Sequence, residues 1–258
     1  MLVAATLYAR GSSSRPRRPW RDAAFAGALL TVATALLSPL DTAADQLFSA
    51  HMVQHLLLLV VAAPLFVLAH PVQTISASVS GATRRNVLGR RAGRTVLRAR
   101  RWIRRPAPAW TIATVALWAW HLPTLYQAAL EEPLLHAVEH ATFLLTAMLV
   151  WSVALDVRSG GTLGGLGRCL FLVACAIQSA LLGAIVLFAP VVLYPGHGAG
   201  PAAWSLTPLQ DQQLAGVLMW VPPSGVYLVA AVLIFVRWMH RLDATPPLLG
   251  SGRERWAA

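Results

Sequence analysis

The sequence predicts an all-α fold: a polytopic bundle of six full transmembrane helices preceded by a short apolar stub. Of its 258 residues, 57% are hydrophobic and only 12% are charged, so the chain is far more apolar than an average soluble domain. The apolar residues are grouped into runs of about 20, the length that an α-helix needs to cross a bilayer. All 21 basic residues are arginines clustered beside these runs, a pattern typical of lipid contact and membrane topology rather than of nucleic-acid binding.

The first elements are an apolar stub, a basic linker and two spans. Residues 1–9 (MLVAATLYA) are too short to cross a bilayer and lack the cleavage site of a secretory signal. They are either the end of a helix that begins before this sequence or a stub in a protein that lacks that helix. A Ser/Pro/Arg linker follows, and residues 1–21 are expected on the cytoplasmic side. The membrane domain, residues 22–240, begins with spans predicted at about Asp22–Pro39 and Phe48–Ala69.

A basic segment and four further spans complete the chain. Residues 84–105 contain ten arginines and are predicted to form an amphipathic or solvated loop on the cytoplasmic membrane surface, in contact with anionic lipid headgroups. Residues 241–258 are predicted to form a polar cytoplasmic tail. The remaining spans are predicted at about Pro108–Tyr126, Leu134–Leu155, Cys169–Val192 and Gln213–Val236.

The charged residues predict the orientation, because cytoplasmic flanks of membrane proteins collect arginine and lysine while translocated loops do not. Five arginines precede the first span, and ten, two and four follow the second, fourth and sixth spans, which accounts for all 21. The loops on the other side have no basic residue but hold Asp41, Asp45, Glu131, Glu132 and Asp211. Both termini are therefore predicted to be cytoplasmic.

Five histidines fall at one depth near the predicted extracytoplasmic face. His51 and His55 stand at the mouth of the second span, His121 ends the third, and His136 and His140 lie in the first turns of the fourth. Histidines four residues apart share a helix face, so each pair is able to reach one metal ion. Ionisable side chains are costly to keep in a membrane helix, which makes these histidines a functional-site hypothesis.

The residue types indicate a copper or zinc site. Imidazole suits either metal, and the thioethers of Met52 and Met219 would add soft ligands for Cu(I), so the metal and its oxidation state stay open between Cu(I), Cu(II) and zinc. Glu139, beside His140, is either a direct ligand or an acceptor that orients a histidine. The two cysteines lie elsewhere, which excludes a thiolate site on this side of the membrane. Further polar groups at the same level, expected to support the site, are Gln54, Asp211 and Gln212.

Other interpretations of the same residues stay open. Each histidine pair is also explained by hydrogen bonds to interfacial carbonyls or lipid phosphates, and pairs on two helices would suit a b-type haem or quinone-linked electron-transfer protein. A metal transporter would need polar residues through the membrane centre, where only Gln178 and Ser179 are obvious, and these are expected near an inner end. Since the chain has no catalytic triad, phosphate loop or nucleotide motif, we expect no enzymatic activity.

Five sequence blocks resemble, in order, those of the CtaG-like cytochrome c oxidase assembly factors. They are FSAHMVQHLLLLVVAAPLFVL, WAWHLPTLYQAAL, HAVEHATFLL, LFAPVVLYP and LTPLQDQQLAGVLMWVP, and the resemblance covers roughly residues 17–240. It implies a multi-span protein of the bacterial plasma membrane that is needed to form active haem–copper oxidase and that handles copper on the outer face. Members usually begin with a complete extra helix before the block WRDAAFAG, where this sequence has only the apolar stub.

The resemblance also implies a function and a set of site residues. We expect a copper chaperone that binds the ion at the extracytoplasmic histidines and delivers it to subunits of cytochrome c oxidase. The sequence does not predict an oligomeric state. Carried over by the matching blocks, the candidate site comprises His51, Gln54, His55, His121, His136, Glu139, His140, Asp211, Gln212 and Met219.

Overall fold

The computed structural model of the protein describes residues 2–13, 18–71, 74, 90–155 and 163–243. These residues form helices joined by short turns and contain no β-strand, which confirms the predicted all-α class. Residues 84–89 of the predicted basic loop and residues 244–258 of the predicted tail lie outside the described residues.

The helices are numbered here in chain order. They are α1 (Leu2–Ser13), α2 (Pro19–Leu37), α3 (Pro39–Ala44), α4 (Phe48–Ala69), α5 (Arg90–Ile103), α6 (Pro106–Trp120), α7 (Pro123–Glu131), α8 (Pro133–Ala154), α9 (Gly165–Phe188), α10 (Gly200–Ala203) and α11 (Pro208–Asp243).

Five of the described helices, α2, α4, α8, α9 and α11, are long and apolar enough to cross a membrane. They coincide with the first, second, fourth, fifth and sixth predicted spans. The largest difference is at α11, a helix of 36 residues that extends beyond both predicted ends. The chain is therefore an all-helical protein with several membrane-spanning candidates, as predicted.

The predicted third span is not one continuous helix. Helix α6 has 15 residues, which corresponds to about 22 Å and is shorter than the roughly 30 Å of a hydrocarbon core. The helix ends at His121, and Leu122 is extended because the following residue, Pro123, disfavours helical geometry at the position before it. The prediction of a continuous helix over Pro108–Tyr126 is thus wrong, and the count of six spans stays a prediction.

Two predicted non-helical segments contain helix. Helix α1 runs to Ser13 and α2 begins at Pro19, so both ends of the linker predicted after the stub are helical. Proline is favoured in the first turn of a helix, because a backbone N–H at that position has no acceptor within the helix. In the basic segment, α5 carries exposed apolar side chains, Val96 at 53% and Trp102 at 55%, beside its arginines. The basic segment is therefore helical over Arg90–Ile103, and its contact with the membrane surface stays a prediction.

Helix α4 is widened in its middle, one turn below the predicted histidines. Residues Leu57–Ala62 are π-helical, and the N–H of Ala63 donates to the carbonyl of Leu58, five residues earlier. Pro64 has no N–H and its ring crowds the preceding turn, which accounts for the wider register. The carbonyl of Leu59 accepts a 2.9 Å hydrogen bond from Trp151 Nε1, so the π-helical segment is tied to α8.

The short helices and turns at one end of the bundle pack against one another. Helices α3 and α7, the 3₁₀ turn Pro195–His197 and α10 lie there, beside the first residues of α4, α8 and α11. Of the described arginines, Arg21, Arg168 and Arg237 belong to α2, α9 and α11, and Arg104 lies in the turn before α6. Most described acidic residues lie at the end with the turns, but Asp22 and Asp243 lie beside arginines at the opposite end.

Helices α9 and α11 approach closely through two glycines. A Cβ atom added at Gly216 would lie 2.5 Å from the backbone N of Leu187 and 2.8 Å from the carbonyl O of Gly183. A Cβ added at Gly183 would lie 2.8 Å from the carbonyl O of Gly216. Small residues of this kind let the backbones of membrane helices come into contact.

The Gly216→Ala substitution is expected to destabilise the fold by about 1–3 kcal/mol, because the added methyl group overlaps rigid backbone of α9. Thermal unfolding of the detergent-purified protein measures the change. Gly225 on the same helix is the control, since a Cβ there meets no atom within 4 Å, and Gly225→Ala is expected to raise stability by about 0.5–1 kcal/mol. Equal effects of the two substitutions would contradict this account of the α9–α11 contact.

Candidate metal centre

Four histidines and one glutamate meet between α4 and α8. This histidine–glutamate cluster consists of His51, His55, His136, Glu139 and His140. Across the helix interface, the ring centroids of His51 and His136 are 5.0 Å apart, and those of His55 and His140 are 5.2 Å apart. Glu139 joins both members of the α4 pair, with Oε2 at 3.9 Å from His51 Nε2 and Oε1 at 3.7 Å from His55 Nε2.

Helical spacing brings these side chains to one interface. His51 and His55 are four residues apart near the start of α4, and their ring centroids are 4.4 Å apart. His136, Glu139 and His140 are three and four residues apart, so they also share a helix face. The two histidines of each predicted pair are therefore confirmed as neighbours. The residue spacing did not predict which histidines of α4 would lie beside which histidines of α8.

Most polar atoms of the cluster are buried without a hydrogen-bond partner. Glu139 is 0% exposed and His51 is 1% exposed, His55 and His140 are also buried, and His136 is half-buried. Both ring nitrogens of His51 and His55, both carboxylate oxygens of Glu139, and Nε2 of His136 and His140 are buried without a partner. Buried polar groups in folded proteins nearly always have a partner, so this set indicates a site built for a ligand.

Two overlapping groups within the cluster have the spacing of a metal site. The groups are His51–His136–His140 and His51–His55–Glu139, and in each the potential ligand atoms lie within 4.8 Å of one another. Around a tetrahedral ion with bonds of about 2.0–2.1 Å, the ligand atoms are about 3.4 Å apart, so modest side-chain rotations would close either group on an ion. His51 belongs to both groups.

The other predicted ligands line a separate space. Met52, His121 and Met219 line a cavity of about 40 Å³ together with His55, which is also a member of one of the two groups. His121 is in neither group, and its ring centroid is 6.2 Å from that of His55. Phe143 packs against both rings, at centroid distances of 4.6 Å and 5.9 Å. A single site that includes all of the predicted ligands stays a prediction. We call this space the thioether cavity.

Two polar residues predicted to support the site have a structural role. Asp211 caps α4 from another helix: its Oδ2 accepts a 2.7 Å hydrogen bond from the N–H of Phe48, and its Oδ1 accepts one of 3.0 Å from the N–H of Ser49. Gln212 Oε1 accepts a 2.6 Å bond from the N–H of Leu193. These contacts fix the start of α4 and the turn after α9 around the cluster.

Gln54 links three elements near the cluster. Its Nε2 donates to the carbonyl of Ala35 on α2 and to Oδ1 of Asp41 on α3, both at 2.8 Å. Gln54 Oε1 is buried without a partner. The residue thus holds α2 and α3 against the face of α4 that is adjacent to the histidines.

A second cavity reaches the cluster from the side of α2. It has a volume of about 390 Å³ and is lined by Asp41, His136 and His140 among apolar residues of α2, α4 and α8. His136 is the least buried member of the cluster. This side cavity therefore gives the cluster a route to the surface.

His197 and two tyrosines close the turns over the cluster. The sequence predicts His197 on the same side of the membrane as the other five histidines, but it does not single out the tyrosines. His197 Nδ1 donates to the carbonyl of Asp45 at 3.2 Å, and its Nε2 accepts a 2.8 Å bond from the hydroxyl of Tyr126. Tyr194 donates to the carbonyl of His121 at 2.7 Å. Burial raises the pKa of Tyr194 to about 12 and lowers the pKa of His197, so both groups are neutral at physiological pH. Tyr194 and His197 are far from the cluster histidines in the sequence, so no local pattern signals their contacts.

Gln178 and Ser179 lie in the middle of α9, not near an inner end as predicted. Both line the thioether cavity. Gln178 Oε1 accepts a 3.3 Å hydrogen bond from Trp118 Nε1, and Ser179 Oγ donates to the carbonyl of Met219 at 3.2 Å. Their polar groups connect α9 to α6 and α11.

Comparison with known proteins gives one match. The profile of the family described as "Cytochrome c oxidase caa3 assembly factor (Caa3_CtaG)" matches residues 2–241, which include the whole histidine–glutamate cluster and both cavities. Comparisons with curated proteins and with solved structures found no match.

The Asp211→Asn substitution is expected to destabilise the protein by about 1–3 kcal/mol, because an amide has one acceptor oxygen for the two N–H groups that the carboxylate binds. Thermal unfolding measures this loss. Metal content after purification is expected to stay the same, since Asp211 holds α4 rather than a ligand. Glu131→Gln is the control, because that carboxylate bonds only at the exposed surface to Gln127; a selective loss of metal in the Asp211 variant would make Asp211 a ligand.

Proposed function

The chain belongs to the Caa3_CtaG family of cytochrome c oxidase caa3 assembly factors, and we propose that it binds copper at the histidine–glutamate cluster and delivers the ion to an oxidase subunit. The family is one of assembly factors rather than of enzymes. Copper is then the cargo of the protein, not a resident cofactor.

One observation carries this proposal: imidazole nitrogens and a carboxylate on two helices are buried together without hydrogen-bond partners. A bound cation would supply the missing partner for all of them at once, and it would offset the cost of keeping a carboxylate in an apolar bundle. An imidazole-rich set suits copper or zinc, and the function of the family favours copper.

Delivery requires that the ion be released as readily as it is bound. A group of three ligands leaves a coordination position open for a ligand of the acceptor. In the cluster, the ion would exchange between the two groups by way of His51, which belongs to both. The group with His136 adjoins the side cavity, so we place the exchange with donor and acceptor proteins there.

We propose six spans in the plasma membrane, with both termini cytoplasmic and the cluster at the extracytoplasmic side. Helix α6 packs against α8 and α9 within the bundle, which supports its assignment as the remaining span despite its length. Arginines precede it, and the acids Glu131 and Glu132 stand at the end of α7, as expected for a segment that crosses outward. The arginines of α5 would contact anionic headgroups.

The b-type haem alternative is less compatible with this geometry. A haem needs a flat space between its axial histidines, whereas Glu139 lies within 3.9 Å of His51 and 3.7 Å of His55. The compact cluster favours a single small ion. A Soret band in the absorption spectrum of the purified protein would support the haem alternative instead.

Purified wild-type protein is expected to contain copper, and the His51→Ala/His55→Ala variant is expected to bind it more than about 10-fold more weakly, because each group loses at least one ligand. Elemental analysis after dialysis against a competing chelator measures both. His240→Ala is the control, since that histidine is exposed at the end of α11. Equal copper in wild type and double variant would refute binding at the cluster.

Cells that carry His51→Ala/His55→Ala are expected to lose most of their cytochrome c oxidase activity, and added copper is expected to restore part of it. The reason is that excess copper loads the oxidase without the assembly factor. Oxygen consumption with a reduced cytochrome c substrate measures activity, and immunoblotting of the variant checks its abundance. Unchanged activity in the double variant would argue against a role of the cluster in oxidase assembly.

A further inference from the structure

The thioether cavity combines soft and imidazole donors beneath the histidine–glutamate cluster. Its lining includes His55 and Met52 of α4, His121 at the end of α6 and Met219 of α11, so three helices contribute a potential ligand. Its volume of about 40 Å³ exceeds the roughly 10–15 Å³ that a single water-sized particle requires. The cavity therefore has room for an ion.

His121 is oriented as a metal ligand. Its Nδ1 lies 2.7 Å from the carbonyl O of Leu117, and because a carbonyl only accepts, Nδ1 carries the proton. The lone pair is then on Nε2, which is buried and has no hydrogen-bond partner. A histidine that donates one N–H to a backbone carbonyl while its other nitrogen binds a metal is the usual arrangement in metalloproteins.

The two methionines are buried and their backbones are fixed. Met52 is 1% exposed and Met219 is 7% exposed. The carbonyl of Met219 accepts a hydrogen bond from Ser179 Oγ at 3.2 Å, which ties this part of α11 to α9. Of the five methionines in the sequence, these two line the cavity, whereas Met148 packs in the core on α8 and Met239 is 40% exposed near the end of α11.

The charge of the lining distinguishes this cavity from the cluster above it. Among the described residues, no carboxylate lines the thioether cavity, while Glu139 belongs to the cluster. Since the cost of desolvating an ion rises steeply with its charge, neutral donors in an apolar space suit a monovalent ion far better than a divalent one. Thioether sulfur is also a ligand that selects Cu(I) over Zn²⁺.

We propose that the thioether cavity is a second metal site, specific for Cu(I), with His121 Nε2 and the sulfurs of Met52 and Met219 as ligands. His55 is shared: it belongs to a group of the cluster and also lines the cavity, so a turn of its ring would pass an ion between the two sites. This inference rests on the proposed copper-handling function and adds a selection step, because a divalent ion bound in the cluster would not enter the cavity.

The test is a metal titration of the full-length, detergent-purified protein under anaerobic, reducing conditions, first with Cu(I) and separately with Zn²⁺. Wild type is expected to bind two Cu(I) ions but only one Zn²⁺ ion per chain. The Met52→Leu/Met219→Leu variant keeps the size of both side chains and removes the sulfurs. It is expected to bind one Cu(I), to lose the sulfur contribution to the copper X-ray absorption spectrum, and to bind Zn²⁺ as wild type does.

Two further variants make the titration decisive. Met148→Leu/Met239→Leu is the matched control and is expected to bind two Cu(I) ions. His121→Asn keeps a donor for the Leu117 carbonyl but removes the Nε2 lone pair, and it is expected to reproduce the loss of one Cu(I) even if the double methionine variant folds poorly. Normal Zn²⁺ uptake shows in each case that the cluster is intact.

The possible failures are distinguishable. If both Met52→Leu/Met219→Leu and His121→Asn retain the copper content and sulfur signal of wild type, the second site is refuted while the proposed function stands. The second site is also refuted, and the proposed function also stands, if wild type binds a single Cu(I) and only the His51→Ala/Glu139→Gln variant loses it. If wild type binds no copper at all, the proposed function fails and this inference fails with it.

Discussion

The structure depends on one constraint: a carboxylate and four imidazoles are held together between two helices, away from water and without hydrogen-bond partners. Each buried polar group left unsatisfied costs on the order of 1–3 kcal/mol, so the cluster would be expensive in the absence of a ligand. Contacts outside the cluster must therefore hold α4 and α8 in place, because the cluster itself does not stabilise their packing. A bound cation would convert the same set of atoms from a cost into a source of stability, and metal binding would then be coupled to folding.

The surrounding contacts provide that rigidity from distant parts of the chain. Asp211 caps the first turn of α4, and Gln54 ties the same helix to α2 and α3. Below the histidines, the π-helical segment is bonded to Trp151 of α8, the helix that carries the other half of the cluster. Both ends of the histidine-bearing part of α4 are thus fixed, while the His55 ring has space on one side. A rigid backbone with adjustable side chains suits a site that must both hold and release an ion.

Local patterns accounted for most of the fold. Runs of apolar residues located five of the helices, and the i, i+4 spacing placed His51 with His55 and His136 with His140 on shared faces. Pro123 signals the break after α6. The apolar run over Pro108–Tyr126 is nevertheless long enough to predict one continuous span. The thioether cavity had no local signal, because Met52, His121 and Met219 come from three helices that meet only in the tertiary structure.

The sequence by itself determined the class of the protein, the position of five long apolar helices and which histidines share a helix face. These features follow from hydropathy and helical periodicity, which are properties of neighbouring residues. Only the tertiary structure decided that α4 and α8 face each other, that Glu139 rather than Asp211 joins the histidines, and that the methionines line a space of their own. Those relations depend on how helices far apart in the chain pack side by side, and helix packing is set by the sum of many weak contacts that no short stretch of sequence encodes.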